Sequence, residues 1–149
     1  MNSDILLVYY SLTSKTHEIA RLIRRAEGCD MDRIEVYEEY VDIPFGLKQR
    51  LLNEGDSYRP KIRELSHDIR EYGTVILGMP VWNNDIPAPM LTFIESVDWR
   101  GIRVLPFFSS GGAFMNIYSS LRQKCKGASL ADPLYLIYDD CGNFLKIIE

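Results

Sequence analysis

Apolar residues gather in short unbroken runs, separated by segments in which they recur every three or four positions. The runs Ile5-Leu6-Leu7-Val8-Tyr9-Tyr10, Thr74-Val75-Ile76-Leu77-Gly78-Met79, Ile102-Arg103-Val104-Leu105-Pro106-Phe107-Phe108 and Leu134-Tyr135-Leu136-Ile137-Tyr138 are too short for helices and rich in strand formers. Such runs predict strands covered on both faces. Arg33-Ile34-Glu35-Val36-Tyr37-Glu38 alternates apolar with charged residues, which predicts a strand at the sheet edge. Ile19, Leu22, Ile23 and Ala26 form one stripe opposite Arg21, Arg24 and Arg25, predicting an amphipathic helix from Lys15 to Glu27, ended by Gly28. Leu47, Leu51 and Leu52 suggest a weaker helix after Pro44. A third carries Pro89 in its first turn, with Leu91, Ile94 and Val97 inward, and Ile117, Leu121 and Cys125 mark a fourth before Gly127.

Strands and helices therefore alternate, and the right-handed crossover rule turns that order into a parallel sheet between two helical layers. The expected fold is a doubly wound α/β domain spanning residues 1–149, with no internal repeat and only a polar loop at Asn53–Pro60. In such a sheet, ligands bind beyond the carboxyl ends of the strands, where strand order reverses.

Composition narrows the function classes. The 149 residues, 46% of them apolar, suffice for one core. A net charge of −4 argues against nucleic-acid binding through a basic face. Cys29, Cys125 and Cys141 lie far apart without a CxxC pair, so neither a disulfide framework nor a zinc site is indicated and a reducing cytoplasm is expected. No apolar run approaches the ~18 residues of a membrane span, and Met-Asn-Ser-Asp lacks a signal peptide's basic region, so a soluble, cytoplasmic chain is expected.

Three loops leave the predicted strands at one end of the sheet. Ser11-Leu12-Thr13-Ser14-Lys15-Thr16 carries four hydroxyls directly before a helix. The free N–H groups and positive dipole end of a helix start, with such hydroxyls, form a phosphate cradle. The plainer alternative is that Thr13 or Ser14 only caps the helix, although neither has the Glu or Gln of a capping box three residues on. Pro80-Val81-Trp82-Asn83-Asn84 places a tryptophan where it either packs on the domain or receives a flat ligand. Ser109-Ser110-Gly111-Gly112 lets the backbone approach a ligand closely or serves a turn needing positive φ. Together the three supply a phosphate site, an aromatic wall and a close-approach turn, which match the parts of a flavin mononucleotide.

The run Val8-Tyr9-Tyr10-Ser11-Leu12-Thr13-Ser14-Lys15-Thr16 resembles the phosphate loop of flavodoxins, with Ser11, Thr13 and Thr16 in register. Gly78-Met79-Pro80-Val81-Trp82 with Thr92-Phe93-Ile94-Glu95, and Pro106-Phe107-Phe108-Ser109-Ser110-Gly111-Gly112, are similar to further motifs of short flavodoxin-like FMN proteins. Ser14 replaces a family glycine, Lys15 commonly an asparagine, and Asn83-Asn84 a usual Trp-Gly. The resemblance implies a five-stranded flavodoxin-like sheet of order 2-1-3-4-5, binding FMN non-covalently through Ser11, Leu12, Thr13, Ser14, Lys15, Thr16, Pro80, Val81, Trp82, Asn83, Asn84, Ser109, Ser110, Gly111 and Gly112. It further implies electron transfer to a redox partner protein or small acceptor. The alternatives are an NAD(P)H-dependent reductase of quinones and a binding domain without flavin.

His17 and His67 have no metal-ligand spacing and are expected to be solvated or on a helix surface, and Cys125 and Cys141 to be buried or inert. The final element, Phe144 to Glu149, is expected to be a helix of under two turns. So short a helix would leave an apolar sheet face for a second chain to cover, as in a homodimer.

Overall fold

Leu6, Leu7, Val8 and Tyr9 can all escape water only in a strand with cover above and below. The computed structural model, which describes residues 4–11, 14–37, 59–81, 85–110, 114, 116–138 and 144–148, places them there. Strand β1 (Ile5–Tyr9) lies parallel between β2 (Asp30–Arg33) and β3 (Thr74–Pro80), and β3 pairs in parallel with β4 (Arg103–Ser110). Two short strands follow along β4, also parallel: β5 (Ser129–Leu130) and β6 (Leu134–Tyr138). Strand β7 (Phe144–Ile148) closes the edge antiparallel to β6, giving the order β2-β1-β3-β4-β6-β7. The predicted 2-1-3-4-5 arrangement is thus present, with a sixth place added.

The fifth strand is broken for a local reason. Leu130 pairs with Val104 and Leu134 with Phe107, so Ala131, Asp132 and Pro133 stand opposite only Leu105 and Pro106. Arg103 N–H bonds Gly73 on the β3 side, whereas Val104 C=O accepts from Ala131 N–H. By that alternation Pro106 faces the fifth strand with no N–H to give, and the ladder lapses there.

Helix α1 (Ser14–Glu27) covers Leu7, Tyr9, Ile76, Phe107 and Leu136 on one face. The other face, with Leu6, Val8, Val75, Leu77, Met79, Val104 and Phe108, is covered by α2 (Ala88–Glu95) and α3 (Ile117–Lys124). Pro89 sits in the first turn of α2 as predicted, and Gly127, at φ 86°, follows α3. Leu22, assigned to the inner stripe of α1, is instead exposed. The helix predicted near Leu47–Leu52 lies outside the described residues.

Two predicted elements are corrected. The edge strand is Asp30–Arg33, not Arg33–Glu38, of which Val36 keeps only an isolated antiparallel bridge to Ile62. The buried position in β2 is taken by Asp32, whose carboxylate accepts the N–H groups of Ser66 and His67 at 3.2 and 2.9 Å. The final element is not a short helix but the strand β7. Nor does the α1 face lack cover among the described residues: Leu7, Tyr9, Ile76 and Phe107 are all buried. Phe107 lies across Gly78 so closely that a Cβ there would fall 1.9 Å from its ring. The expectation of a second chain covering that face loses its basis.

Glu95 ties the segment at Arg59 to α2 and α3, accepting from Arg59 Nε at 2.5 Å and Lys124 Nζ at 2.9 Å. These two cations hold its carboxyl down at about 2 against an ordinary 4.5. The contribution to stability is therefore present above pH 4.5 and is lost as pH falls toward 2. Because the side chains are partly exposed, Glu95→Gln is expected to cost less than about 1 kcal/mol at neutral pH. Urea midpoints at pH 7 and pH 3 should show that the penalty shrinks in acid.

Candidate functional site

The carboxyl ends of β1, β3 and β4 lie side by side, so the loops that leave them share one rim of the sheet. Tyr10 N–H bonds Gly78 C=O at 3.0 Å, and Val81 N–H bonds Ser109 C=O at 3.2 Å. Beyond β1 the chain turns through Ser11, which is buried, into α1 at Ser14. Thr16, on the inner side of the first turn, is also buried, and its Oγ1 shares a hydrogen bond with Ser109 Oγ at 2.8 Å. That bond fastens the first turn of α1 to the end of β4. The pair carries two hydroxyl protons and uses one between them, so the other can be donated elsewhere.

The start of α1 favours an anion. Its first turn contains no acidic residue, and helix-start N–H groups with the positive dipole end attract negative charge. Lys15 lies in that turn, and the Arg33 guanidinium comes in from β2 to donate to Ser11 C=O at 2.9 Å. Ser11 Oγ accepts His17 N–H at 3.3 Å. Tyr138 at the end of β6 donates to Lys15 C=O at 3.4 Å. Hydroxyls, amide N–H groups and cations, with no carboxylate in the first turn of α1, make a donor set that fits a phosphate group.

Of the predicted site residues, the structure thus brings together Ser11, Lys15, Thr16, Pro80, Val81, Ser109 and Ser110 with the helix start at Ser14. Leu12, Thr13, Trp82, Asn83, Asn84, Gly111 and Gly112 lie outside the described residues. Arg33, Tyr9, His17 and Tyr138 join the rim unpredicted. His17, on α1, is half-buried rather than solvated, and its Nδ1 shares a hydrogen bond with the Tyr9 hydroxyl, the two rings lying 5.5 Å apart. Burial, with the charges of Arg33 and Arg21, holds the His17 pKa below its ordinary value, while burial pushes that of Tyr9 up. The one signal for this pair was that Tyr9 ends a strand on the face that α1 covers. Burial pushes the Cys125 thiol up to about 12, so it is inert. Among the described residues no cluster of His, Cys, Asp and Glu could hold a metal, and no helix is long and apolar enough to cross a membrane.

A sequence model described as flavodoxin matches residues 4–139. The chain belongs to the flavodoxin family. FMN is the cofactor of that family, and the donor set at the start of α1 suits its phosphate. Solved structures agree with this flavodoxin in fold. A protein assigned as a flavoprotein in Bacteroides eggerthii is 26% identical over 90% of this chain and 88% of its own, with a TM-score of 0.79. Its counterpart in Bacteroides uniformis is 25% identical over 94% of each chain, with a TM-score of 0.80. A Lactobacillus acidophilus flavoprotein in complex with FMN, 23% identical over 89% of this chain and 93% of its own, shares the fold with a TM-score of 0.74. No curated protein matches the chain.

Proposed function

We propose that this flavodoxin holds one FMN non-covalently across the carboxyl ends of β1, β3 and β4 and passes electrons between redox partners. The observation that carries the reading is the Thr16–Ser109 hydrogen bond, which ties a helix start free of acidic residues in its first turn to the end of β4. The N–H groups and hydroxyls from Ser11 to Thr16 hold the phosphate, with Lys15 adding charge. Trp82 forms a wall for the ring, and Asn83, Asn84 and the backbone from Ser109 to Gly112 offer hydrogen bonds to the ring edge. When bound, FMN supplies the electron-accepting ring, and the chain orients it and sets its potential.

The purified chain, alone or after incubation with FMN, should show the absorption bands of an oxidised flavin that dithionite bleaches and air restores. A chain that retains no FMN on gel filtration would overturn the reading. Bleaching by NAD(P)H alone would mark a reductase and overturn the carrier role. Trp82→Ala is expected to weaken FMN binding by about 1–3 kcal/mol, as loss of aromatic stacking does for nucleobases. Fluorescence titration measures it, and an unchanged affinity places the ring wall elsewhere.

A further inference from the structure

One polar contact at this rim is made by neither a predicted site residue nor a loop. Tyr9, 1% exposed at the end of β1, directs its hydroxyl to His17 Nδ1 in the first turns of α1. The same His17 gives its backbone N–H to Ser11 Oγ, and Ser11 C=O receives Arg33. A chain of hydrogen bonds therefore runs from the floor of the sheet through His17 to the first loop. We propose that Tyr9 is a positioning residue: by donating to neutral His17 it fixes the start of α1 and the Ser11 turn where a phosphate is held. This rests on the FMN reading and adds two residues that do not themselves touch the cofactor.

The chemistry requires a neutral imidazole. A phenol donates to Nδ1 only while that nitrogen keeps its lone pair, which puts the single ring proton on Nε2. The surroundings support that state. The charged and titratable groups acting on the pair are Arg33 from β2, Glu35 just beyond it, and Arg21 and Glu18 from α1. Burial and the two arginines disfavour a second proton on His17, against Glu18 alone. The contribution to folding is accordingly present above the ordinary histidine value of 6.5 and is lost as pH falls below it.

Two variants separate positioning from mere packing. Tyr9→Phe keeps the ring and removes the donor. His17→Asn keeps an amide oxygen as acceptor and removes the titration. In the flavin-free protein, proton NMR should find His17 titrating below 6.5 in wild type and higher in Tyr9→Phe. Tyr9→Phe should bind FMN about three- to tenfold more weakly, the range for one net hydrogen bond, while its affinity for riboflavin, which lacks the phosphate, stays unchanged. Wild type should lose thermal stability relative to His17→Asn as pH is lowered from 6.5. A His17 titration indifferent to Tyr9→Phe, or equal losses for FMN and riboflavin, would overturn the inference alone. A wild-type chain that binds no FMN would overturn the proposed function and this inference with it.

Discussion

Riboflavin is expected to bind this flavodoxin at least a hundredfold more weakly than FMN. The two ligands share the ring and differ only in the phosphate, so the comparison isolates the first loop. On the proposed placement, a dianionic phosphate at the start of α1 would meet the helix-start N–H groups, Lys15 and the hydroxyls of that turn. Charge-assisted hydrogen bonds contribute roughly 1.5–3 kcal/mol each, and two of them already exceed a factor of a hundred. The difference should shrink as salt is raised, because the loop lies at the rim and its charges are screened. Fluorescence titration of both ligands under one buffer decides the matter. Equal affinities would mean that the hydroxyls of Ser11 and Thr16 only shape the turn.

The second large effect is expected from Phe107, the side chain that completes the α1 face of the sheet. Phe107→Ala should cost about 3–5 kcal/mol, the usual range for emptying a buried aromatic site. Gly78→Ala should also destabilise, by about 1–3 kcal/mol, because a Cβ at Gly78 collides with the Phe107 ring and the ring must move. The two changes should not add. With the ring gone, the methyl at position 78 enters the space it left, so the double variant should be more stable than the sum of the single losses by well over the ~0.5 kcal/mol scatter of additive pairs. Urea denaturation of the four proteins measures this coupling. Simple additivity would show that Phe107 stabilises the sheet without filling the place above Gly78.

Much of this was legible in the sequence because the central strands are buried on both faces, and such strands announce themselves as unbroken apolar runs. β1, β3 and β4 are of this kind, whereas β6, an apolar run next to the edge strand, buries only Leu136. β2 was misplaced because its buried position is Asp32, a residue that no apolar pattern reveals and that is tolerated only because Ser66 and His67 satisfy its carboxylate. The alternation that begins at Arg33, attractive as a strand, meets the ladder with β1 only at its start: Arg33 pairs with Tyr9, Ile34 N–H bonds Tyr9 C=O, and Val36 already bridges Ile62 instead. β7 was taken for a shortened form of the final helix that the resemblance to flavodoxins implies. Ile147-Ile148 and the preceding turn residues Gly142-Asn143 are a fair signature of a returning strand. At the site, the residue types that drew attention to the three loops lie near one another in sequence, so the loops could be picked out without the fold. Arg33 and the Tyr9–His17 pair were hidden because they reach the rim only when the sheet brings β2 alongside β1 and α1 down upon both.

The hydrogen bond between Thr16 and Ser109 spans 93 positions of chain. A contact of that separation carries a large loop-closure cost, and it forms only after β1, β3 and β4 have been laid in order. The place where the start of α1 meets the end of β4 is therefore among the last features to be built as the molecule folds. A ligand that needs both has nothing to grip in a half-formed sheet, so it cannot guide the chain to its fold. It acts afterwards, as a latch on the finished structure: saturating FMN should leave the refolding rate nearly unchanged and slow unfolding instead.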